Sequence, residues 1–135
     1  MSRRVRPSRS HTTFAAVAVA LAAVVTSAVV LVAQSRREFD IVATKYAFHV
    51  SGTDAPEIHV TQNDLVHITF SATDIPHSFT IEDAPYRIMR KAEPGKPVSF
   101  DFRADQPGRF TFFCNLTIDD KCKDMRGTLI VERAR

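Results

Sequence analysis

The sequence predicts an all-β domain, a Greek-key sandwich or barrel of about seven strands, preceded by one N-terminal transmembrane helix. Three observations lead to this fold class. Beyond residue 38, short runs of alternating apolar and polar residues are separated by turn formers. Residues 14–33 contain no charge, Pro or Gly. The chain has 135 residues, so roughly 100 remain beyond the apolar run, enough for one small domain and too few for a two-domain enzyme.

The first thirteen residues form a basic N-terminus. Of 18 Lys and Arg residues, four lie here, namely Arg3, Arg4, Arg6 and Arg9, which leaves 14 basic against 15 acidic residues in the rest of the chain. The formal net charge of +3 therefore originates in this segment. A nearly neutral domain lacks the basic surface that neutralises phosphates, so nucleic acid is excluded as a partner.

The apolar run of residues 14–33 is long enough to cross a bilayer, because twenty helical residues measure about 30 Å. Arginines precede it, whereas the two arginines after it are offset by two acidic residues, which places the N-terminus in the cytoplasm. We predict a single-pass protein of the cell membrane with a cytoplasmic segment 1–13, a transmembrane signal anchor 14–33, a linker 34–38 and an extracytoplasmic domain 39–135. A cleaved signal peptide ending at Ala28 or Ala33 is the alternative.

Seven segments of the domain are predicted strands, bounded by Gly, Pro, Asn and Asp residues that favour turns. They are Phe39–Val50, Glu57–Val60, Leu65–Ala72, His77–Glu82, Pro97–Ala104, Arg109–Asn115 and Gly127–Glu132. Residues 83–96 form the longest interruption. The basic stretch within it, residues 86–91, is predicted to be a solvated connection, with docking of an acidic partner as the alternative.

Strand parity predicts which side chains face the core, since alternate residues point to opposite faces. Two strands show an apolar set of alternate residues: Val66, Ile68 and Phe70 in one, and Val98, Phe100 and Phe102 in the other. Three histidines, His49, His59 and His67, have the opposite parity and are predicted to be solvated. His77 and Cys114 differ, because His77 is in phase with Phe79 and Ile81, and Cys114 is in phase with Phe110 and Phe112. Both are therefore predicted to face the apolar side at a strand end.

Cys114, Cys122 and Met125 lie on one loop between the last two predicted strands. Thiolate and thioether groups, joined by the imidazole of His77, favour copper, whereas zinc gains nothing from a methionine. The alternative is a Cys114–Cys122 disulfide, which an oxidising compartment permits. Closing this short loop would contribute roughly 2–3 kcal/mol in the chain-entropy treatment.

Several of these residues carry a resemblance to a known family. The run Ile75-Pro76-His77-Ser78-Phe79, then Pro107-Gly108 before an aromatic strand ending in Cys114, then Met125 and Gly127, resembles a cupredoxin. It is most similar to the copper A domain of cytochrome c oxidase subunit II and of nitrous oxide reductase, over about residues 39–133. The resemblance implies that His77 is the upstream imidazole ligand, Cys114 the thiolate ligand and Met125 the weak thioether ligand.

The chain departs from the copper A pattern at two ligand positions. That pattern has a second cysteine four residues after the first and a histidine eight residues after it, where this chain has Ile118 and Cys122. The resemblance with these departures implies one copper ion, with Cys122 in place of an imidazole, rather than a binuclear centre.

The sequence therefore predicts a membrane-anchored, extracytoplasmic copper protein that passes single electrons. With only 4 glycines and no Ser/His/Asp set, it is not expected to catalyse bond chemistry by itself or to bind a small-molecule substrate. Its expected partners are the membrane and a redox protein, either a haem protein or a subunit of a cytochrome c oxidase-type complex in which this chain is the electron-entry subunit. The alternatives are a module for Cu(I) delivery, storage or sensing, and a metal-free interaction domain with the Cys114–Cys122 disulfide.

Overall fold

The computed structural model describes residues 35–135. In this part of the chain, nine strands and one short 3₁₀ helix make up the regular structure. The strands are β1 (Arg36–Thr44), β2 (Ala47–Val50), β3 (Glu57–Thr61), β4 (Leu65–Ala72), β5 (His77–Ile81), β6 (Ile88–Ala92), β7 (Val98–Arg103), β8 (Gly108–Phe113) and β9 (Arg126–Glu132). The 3₁₀ helix, Cys122–Asp124, lies between β8 and β9.

The strands form two sheets that pack as a sandwich. One sheet has the order β2-β1-β4-β7 and the other the order β3-β9-β8-β5-β6. The pairs β1 with β4 and β3 with β9 are parallel, and the other neighbours are antiparallel. Because consecutive strands repeatedly fall in different sheets, the chain crosses from sheet to sheet and its connections meet at the two ends of the sandwich. The prediction of an all-β sandwich is confirmed for the described residues.

Phenylalanine side chains form the centre of the core between the sheets. Phe79 stacks on Phe112 with ring centroids 4.8 Å apart, and Phe112 meets Phe48 edge-on at 5.2 Å. Phe70 joins the cluster from the other sheet, 6.1 Å from Phe79. These contacts link β5 and β8, the two strands that carry His77 and Cys114 to one end of the sandwich.

The parity predictions hold for most of these residues, although His67, predicted to be solvated, and Val98 and Phe102, predicted to face the core, are each only partly buried. Val66, Ile68 and Phe70 are fully buried. In contrast, His49 and His59 are exposed. Alternation along a strand thus assigned most of the inward faces correctly, because it is a local property of extended backbone.

The prediction of about seven strands is wrong in two places. The segment predicted as a single strand from Phe39 to Val50 is two strands, β1 and β2, separated by a turn at Lys45 and Tyr46. This turn contains no Gly, Pro or Asn to reveal it, and a contact from a distant part of the chain holds it, since the Lys45 N–H donates to Asp74.

Strand β6 lies inside the segment that was predicted to be a connection. It is an edge strand, paired with β5 alone. Its three central residues, Met89, Arg90 and Lys91, are all exposed, while Ile88 and Ala92 at its ends are buried. A strand with this burial pattern has no alternation of apolar and polar residues, so the sequence did not indicate it.

The predicted transmembrane anchor, residues 14–33, and the cytoplasmic segment before it lie outside the described residues, so both remain predictions. Within residues 35–135, no helix combines the length and the hydropathy needed to cross a membrane.

Candidate metal centre

Two neighbouring strands bring His77 and Cys114 to the same end of the sandwich. His77 is the first residue of β5, and Cys114 directly follows the last residue of β8. The two strands are antiparallel and paired at Thr80 and Phe113, so the start of one lies beside the end of the other. Residues 37 positions apart in the sequence therefore meet through the sheet register, and both are buried at a strand end, as the parity argument predicted.

The connection from β8 to β9 folds back to place Cys122 and Met125 beside Cys114. The Cys122 N–H donates to the carbonyl of Asp119 at 3.2 Å and opens the 3₁₀ helix. The Met125 N–H donates to the carbonyl of Cys122 at 3.1 Å, and the Cys114 N–H donates to the carbonyl of Met125 at 3.4 Å. The last of these bonds closes the loop, so its two ends lie side by side.

Three candidate ligand atoms converge in this pocket. The sulfurs of Cys114 and Cys122 and a ring nitrogen of His77 all lie within 4.8 Å of one another, and all three residues are 0% exposed. The Cys122 Sγ lies 3.6 Å from the His77 Nδ1. Met125, at 1% exposure, is hydrogen-bonded through its backbone to both Cys122 and Cys114. The structure thus brings together three of the four predicted ligands and buries the fourth next to them.

The two cysteines are bonded to each other as a disulfide, with their Cα atoms 5.3 Å apart. The structure therefore describes the oxidised form of the pair, which was one of the alternatives left open by the sequence. The same two sulfurs face His77, so reduction would release two thiols at a site that already holds an imidazole.

Asp74 is a hydrogen-bond partner of the candidate ligand His77 that sequence reasoning missed. Its Oδ1 accepts a hydrogen bond of 2.8 Å from the His77 Nε2. A neutral imidazole that donates from Nε2 carries its lone pair on Nδ1, the nitrogen that faces Cys122. Burial alone would raise the pKa of Asp74, but hydrogen bonds from His77 and from two backbone N–H groups outweigh it and lower the pKa to about 2. The available signal was an acidic residue three positions before the histidine, in a turn.

Cys114 is held by a second network. The Ser78 N–H donates to the Cys114 Sγ at 3.5 Å. The Ser78 hydroxyl donates to the Asn115 Oδ1 at 2.7 Å and accepts from the Asn115 N–H at 2.8 Å. Hydrogen bonds to a ligating sulfur tune the reduction potential of a copper site, so these contacts suit a redox role as well as a structural one.

The donor set fits copper better than other metals. Once the disulfide is reduced, two thiolates, an imidazole and a thioether would be soft or borderline ligands, and their burial would keep water away from the site. The position of the second copper A cysteine is occupied by Ile118, which is 59% exposed. It supplies no donor atom, so the described residues offer ligands for one ion more readily than for two.

The described residues thus form a two-sheet β-sandwich with a buried His/Cys/Cys cluster at one end. The sequence model of the cupredoxin-like domain matches residues 13–131. The chain therefore belongs to the cupredoxin-like domain family, as its sequence motifs indicated. No curated protein sequence is significantly similar to it.

Solved structures with this fold include oxidase subunits and a blue copper protein. A chain of a heme-copper terminal oxidase dimer is 26% identical with a TM-score of 0.63, covering 74% of this chain and 66% of its own length. The periplasmic domain of subunit II of the cytochrome oxidase of Bradyrhizobium japonicum has 14% identity and a TM-score of 0.61, covering 71% of this chain and 83% of its own. Auracyanin A, a blue copper protein of Chloroflexus aurantiacus, has 17% identity and a TM-score of 0.55, covering 73% of this chain and 100% of its own. This chain thus spans slightly less than two thirds of the oxidase chain.

Proposed function

We propose that this chain is a membrane-anchored, extracytoplasmic electron carrier that holds one copper ion between His77, Cys114, Cys122 and Met125. The observation that carries the proposal is the convergence of two sulfurs and one imidazole nitrogen within 4.8 Å in a fully buried pocket. Membership of the cupredoxin-like family and the fold shared with a blue copper protein support copper as the metal.

Copper bound in this pocket would supply a one-electron couple. The protein's own residues would keep the positions of the ligands nearly constant as the charge of the ion changes. The ligands lie on hydrogen-bonded strands and on a loop that is closed by the hydrogen bond from the Cys114 N–H to the Met125 carbonyl. Asp74 orients the His77 ring, and the Ser78 N–H supports the Cys114 sulfur. An electron carrier needs this rigidity and burial rather than a substrate cavity.

The expected partner is a redox protein, either a haem protein or another subunit of an oxidase. The similarity to a chain of a heme-copper terminal oxidase dimer supports this partner class. We propose that the chain passes electrons to or from such a protein outside the cytoplasm, held at the membrane by residues 14–33. Recovery of the full chain in the membrane fraction after alkaline carbonate washing would support the anchor. A mature N-terminus near Val29 or Gln34 would contradict it.

The disulfide implies that copper loading follows reduction. Breaking the Cys114–Cys122 bond takes two electrons and two protons and releases two thiols. The disulfide also favours a second candidate function, a metal-free interaction domain in which this bond permanently fixes the loop between β8 and β9. The two candidates differ in whether the reduced protein takes up copper.

The test uses the full chain in detergent, reduced with a thiol-free phosphine, desalted without oxygen and loaded with copper. We expect one tightly bound copper per chain. After oxidation, we expect an electron paramagnetic resonance spectrum with four lines and a narrow parallel hyperfine splitting. Reduced protein that retains no copper would refute the proposal in favour of the metal-free domain, and a mixed-valence multiline spectrum would refute the single ion.

Matched variants assign the ligands. His77→Gln should abolish stoichiometric binding, whereas the same change at the exposed His59 should leave it unaltered. Met125→Leu should alter the spectrum while copper stays bound, because a thioether is a weak ligand, and Met89→Leu at a half-exposed position is its control. Cys114→Ser protein that kept stoichiometric copper would show that the proposed site is wrong.

A further inference from the structure

The turn between β1 and β2 contacts both sides of the metal site. The Lys45 N–H donates to the Asp74 Oδ2 at 2.6 Å. The phenol of Tyr46, the next residue, donates to the Asp119 Oδ2 at 2.5 Å. The two acidic residues belong to separate connections, one before β5 and one after β8. A single turn thus holds two segments that are distant from it and from each other in the sequence.

Each of these acidic residues is in turn bonded to one of the candidate ligands. Asp74 accepts from the His77 ring at 2.8 Å. The Asp119 carbonyl accepts from the Cys122 N–H at 3.2 Å, and its Oδ1 accepts from the Lys121 N–H at 2.8 Å. The contacts therefore form a closed ring. It runs from the turn through Asp74 to His77, whose Nδ1 lies 3.6 Å from the Cys122 sulfur, and returns through Asp119 to the turn.

Tyr46 connects this ring of contacts to the loop between β8 and β9, which carries Cys122. Besides its hydrogen bond to Asp119, its ring lies 5.4 Å below the Lys121 ammonium. Other residues of the loop are exposed, including Ile118 at 59%. A loop with an exposed tip gains little from apolar burial, so side-chain contacts of this kind decide how far its position fluctuates.

We propose that Tyr46 is a positioning residue for the candidate metal centre, which in the reduced protein limits the distance of Cys122 from His77 and Cys114 by holding the loop at Asp119 against the β1–β2 turn. This inference rests on the proposed function for its metal-binding consequence. Its geometric consequence is independent of metal, because the same positioning sets how readily the two cysteines form their disulfide.

The first experiment needs no metal. The full chain in detergent is equilibrated with mixtures of reduced and oxidised glutathione, and the dithiol fraction is measured by acid quenching, thiol alkylation and mass spectrometry. Tyr46→Phe removes only the hydroxyl. We expect it to lower the equilibrium constant for disulfide formation by about threefold, the effect of losing one modest hydrogen bond.

The matched control is Tyr86→Phe. The Tyr86 hydroxyl also makes hydrogen bonds, donating to the Gln106 carbonyl at 2.8 Å and accepting from the Gln106 N–H at 3.1 Å. It lies between β5 and β6, where β5 ends, at the opposite end of the sandwich from His77. We expect this variant to keep the wild-type equilibrium constant. Equal shifts in the two variants would indicate general loosening of the domain and would overturn the proposal.

A conservative replacement tests the acceptor. Asp119→Asn keeps an oxygen that accepts from the Tyr46 phenol and should retain most of the wild-type behaviour, whereas Asp119→Ala should have at least the effect of Tyr46→Phe, because it also removes the acceptor of the Lys121 N–H. The double variant Tyr46→Phe/Asp119→Ala should be no worse than Asp119→Ala alone, since both changes remove the same contact. Full additivity of the two changes would overturn the proposal.

The second experiment measures copper. Competition of the reduced protein with a chromophoric Cu(I) chelator should show about threefold weaker binding for Tyr46→Phe than for wild type and Tyr86→Phe. A wild-type protein that binds no copper would refute the proposed function. The role of Tyr46 would then be tested by the glutathione equilibrium alone. Wild-type values for Tyr46→Phe in both experiments would overturn the positioning role.

Discussion

Gly127 occupies a position where no other residue fits, and its replacement by alanine is the sharpest test of the packing around the site. It is the second residue of β9 and lies opposite Phe112 of β8. A Cβ atom there would lie 2.1 Å from the Phe112 Cζ and 2.6 Å from the carbonyl oxygen of Pro56. That oxygen accepts a hydrogen bond of 2.9 Å from the Thr128 N–H, so it is held in place.

The size of the effect follows from what must move. Carbon atoms in contact are about 3.5–4.0 Å apart, so the Phe112 ring would have to shift by roughly 1.5 Å. The ring is fully buried and packs against two other rings, with centroids 4.8 Å from Phe79 and 5.2 Å from Phe48, so a shift of this size would disturb both contacts. Overpacking a core typically costs 1–3 kcal/mol, and since neither neighbour of Gly127 can yield, we expect Gly127→Ala to lower the free energy of unfolding by about 3 kcal/mol.

The assay is urea unfolding of the oxidised protein in detergent, followed by far-ultraviolet circular dichroism. Gly52→Ala is the control: it has a positive φ of 79° but nothing within 4 Å of its added Cβ, so it should cost only about 1 kcal/mol. Phe112→Leu shrinks the obstructing ring and should make Gly127→Ala less costly in the double variant than alone. A cost below about 1 kcal/mol for Gly127→Ala, or strict additivity with Phe112→Leu, would refute the steric argument.

Two further predictions concern the cysteine pair and the tyrosines. Reduction of the Cys114–Cys122 disulfide, which spans 8 positions, should lower the free energy of unfolding of the metal-free protein by about 2.5 kcal/mol, and equal urea midpoints before and after reduction would contradict this. The hydrogen bond to Asp119 raises the pKa of Tyr46 above its ordinary 10.0. The stability that this hydrogen bond contributes is therefore fully present below pH 10.0, and it is lost as the pH rises through the pKa of Tyr46 in the folded protein. In Tyr86→Phe protein, which has no other tyrosine, absorbance at alkaline pH should show ionisation above pH 10.0, and Asp119→Ala should return it towards that value.

Most of the sandwich was predictable from short-range patterns. The strand Leu65–Ala72 was predicted with its observed bounds, because a half-buried strand with one apolar face has a clear period of two. The edge strand β6 was missed, because its central residues all face solvent. The turn at Lys45 and Tyr46 was missed as well, since its contacts come from residues far along the chain.

The candidate site also has a part that the sequence predicted and a part that it did not. Strand parity placed His77 and Cys114 on the apolar side at strand ends, and the soft donor atoms of one loop added Cys122 and Met125 independently of the family resemblance. The role of Asp74 was not visible, because a carboxylate in a turn becomes a partner of a histidine only when the side chains are placed in three dimensions.

The sequence by itself determined the fold class, most of the inward faces of the strands and the residue types of the candidate metal site. Only the tertiary structure decided which atoms meet: the Nδ1 of His77 facing the Cys122 sulfur, the bond between the two cysteines, and the contact of Tyr46 with Asp119 across 73 positions. The physical reason is that alternation is a property of neighbouring residues on one strand. Contacts between connections depend instead on sheet register and on how the chain crosses between the two sheets, which no local pattern records.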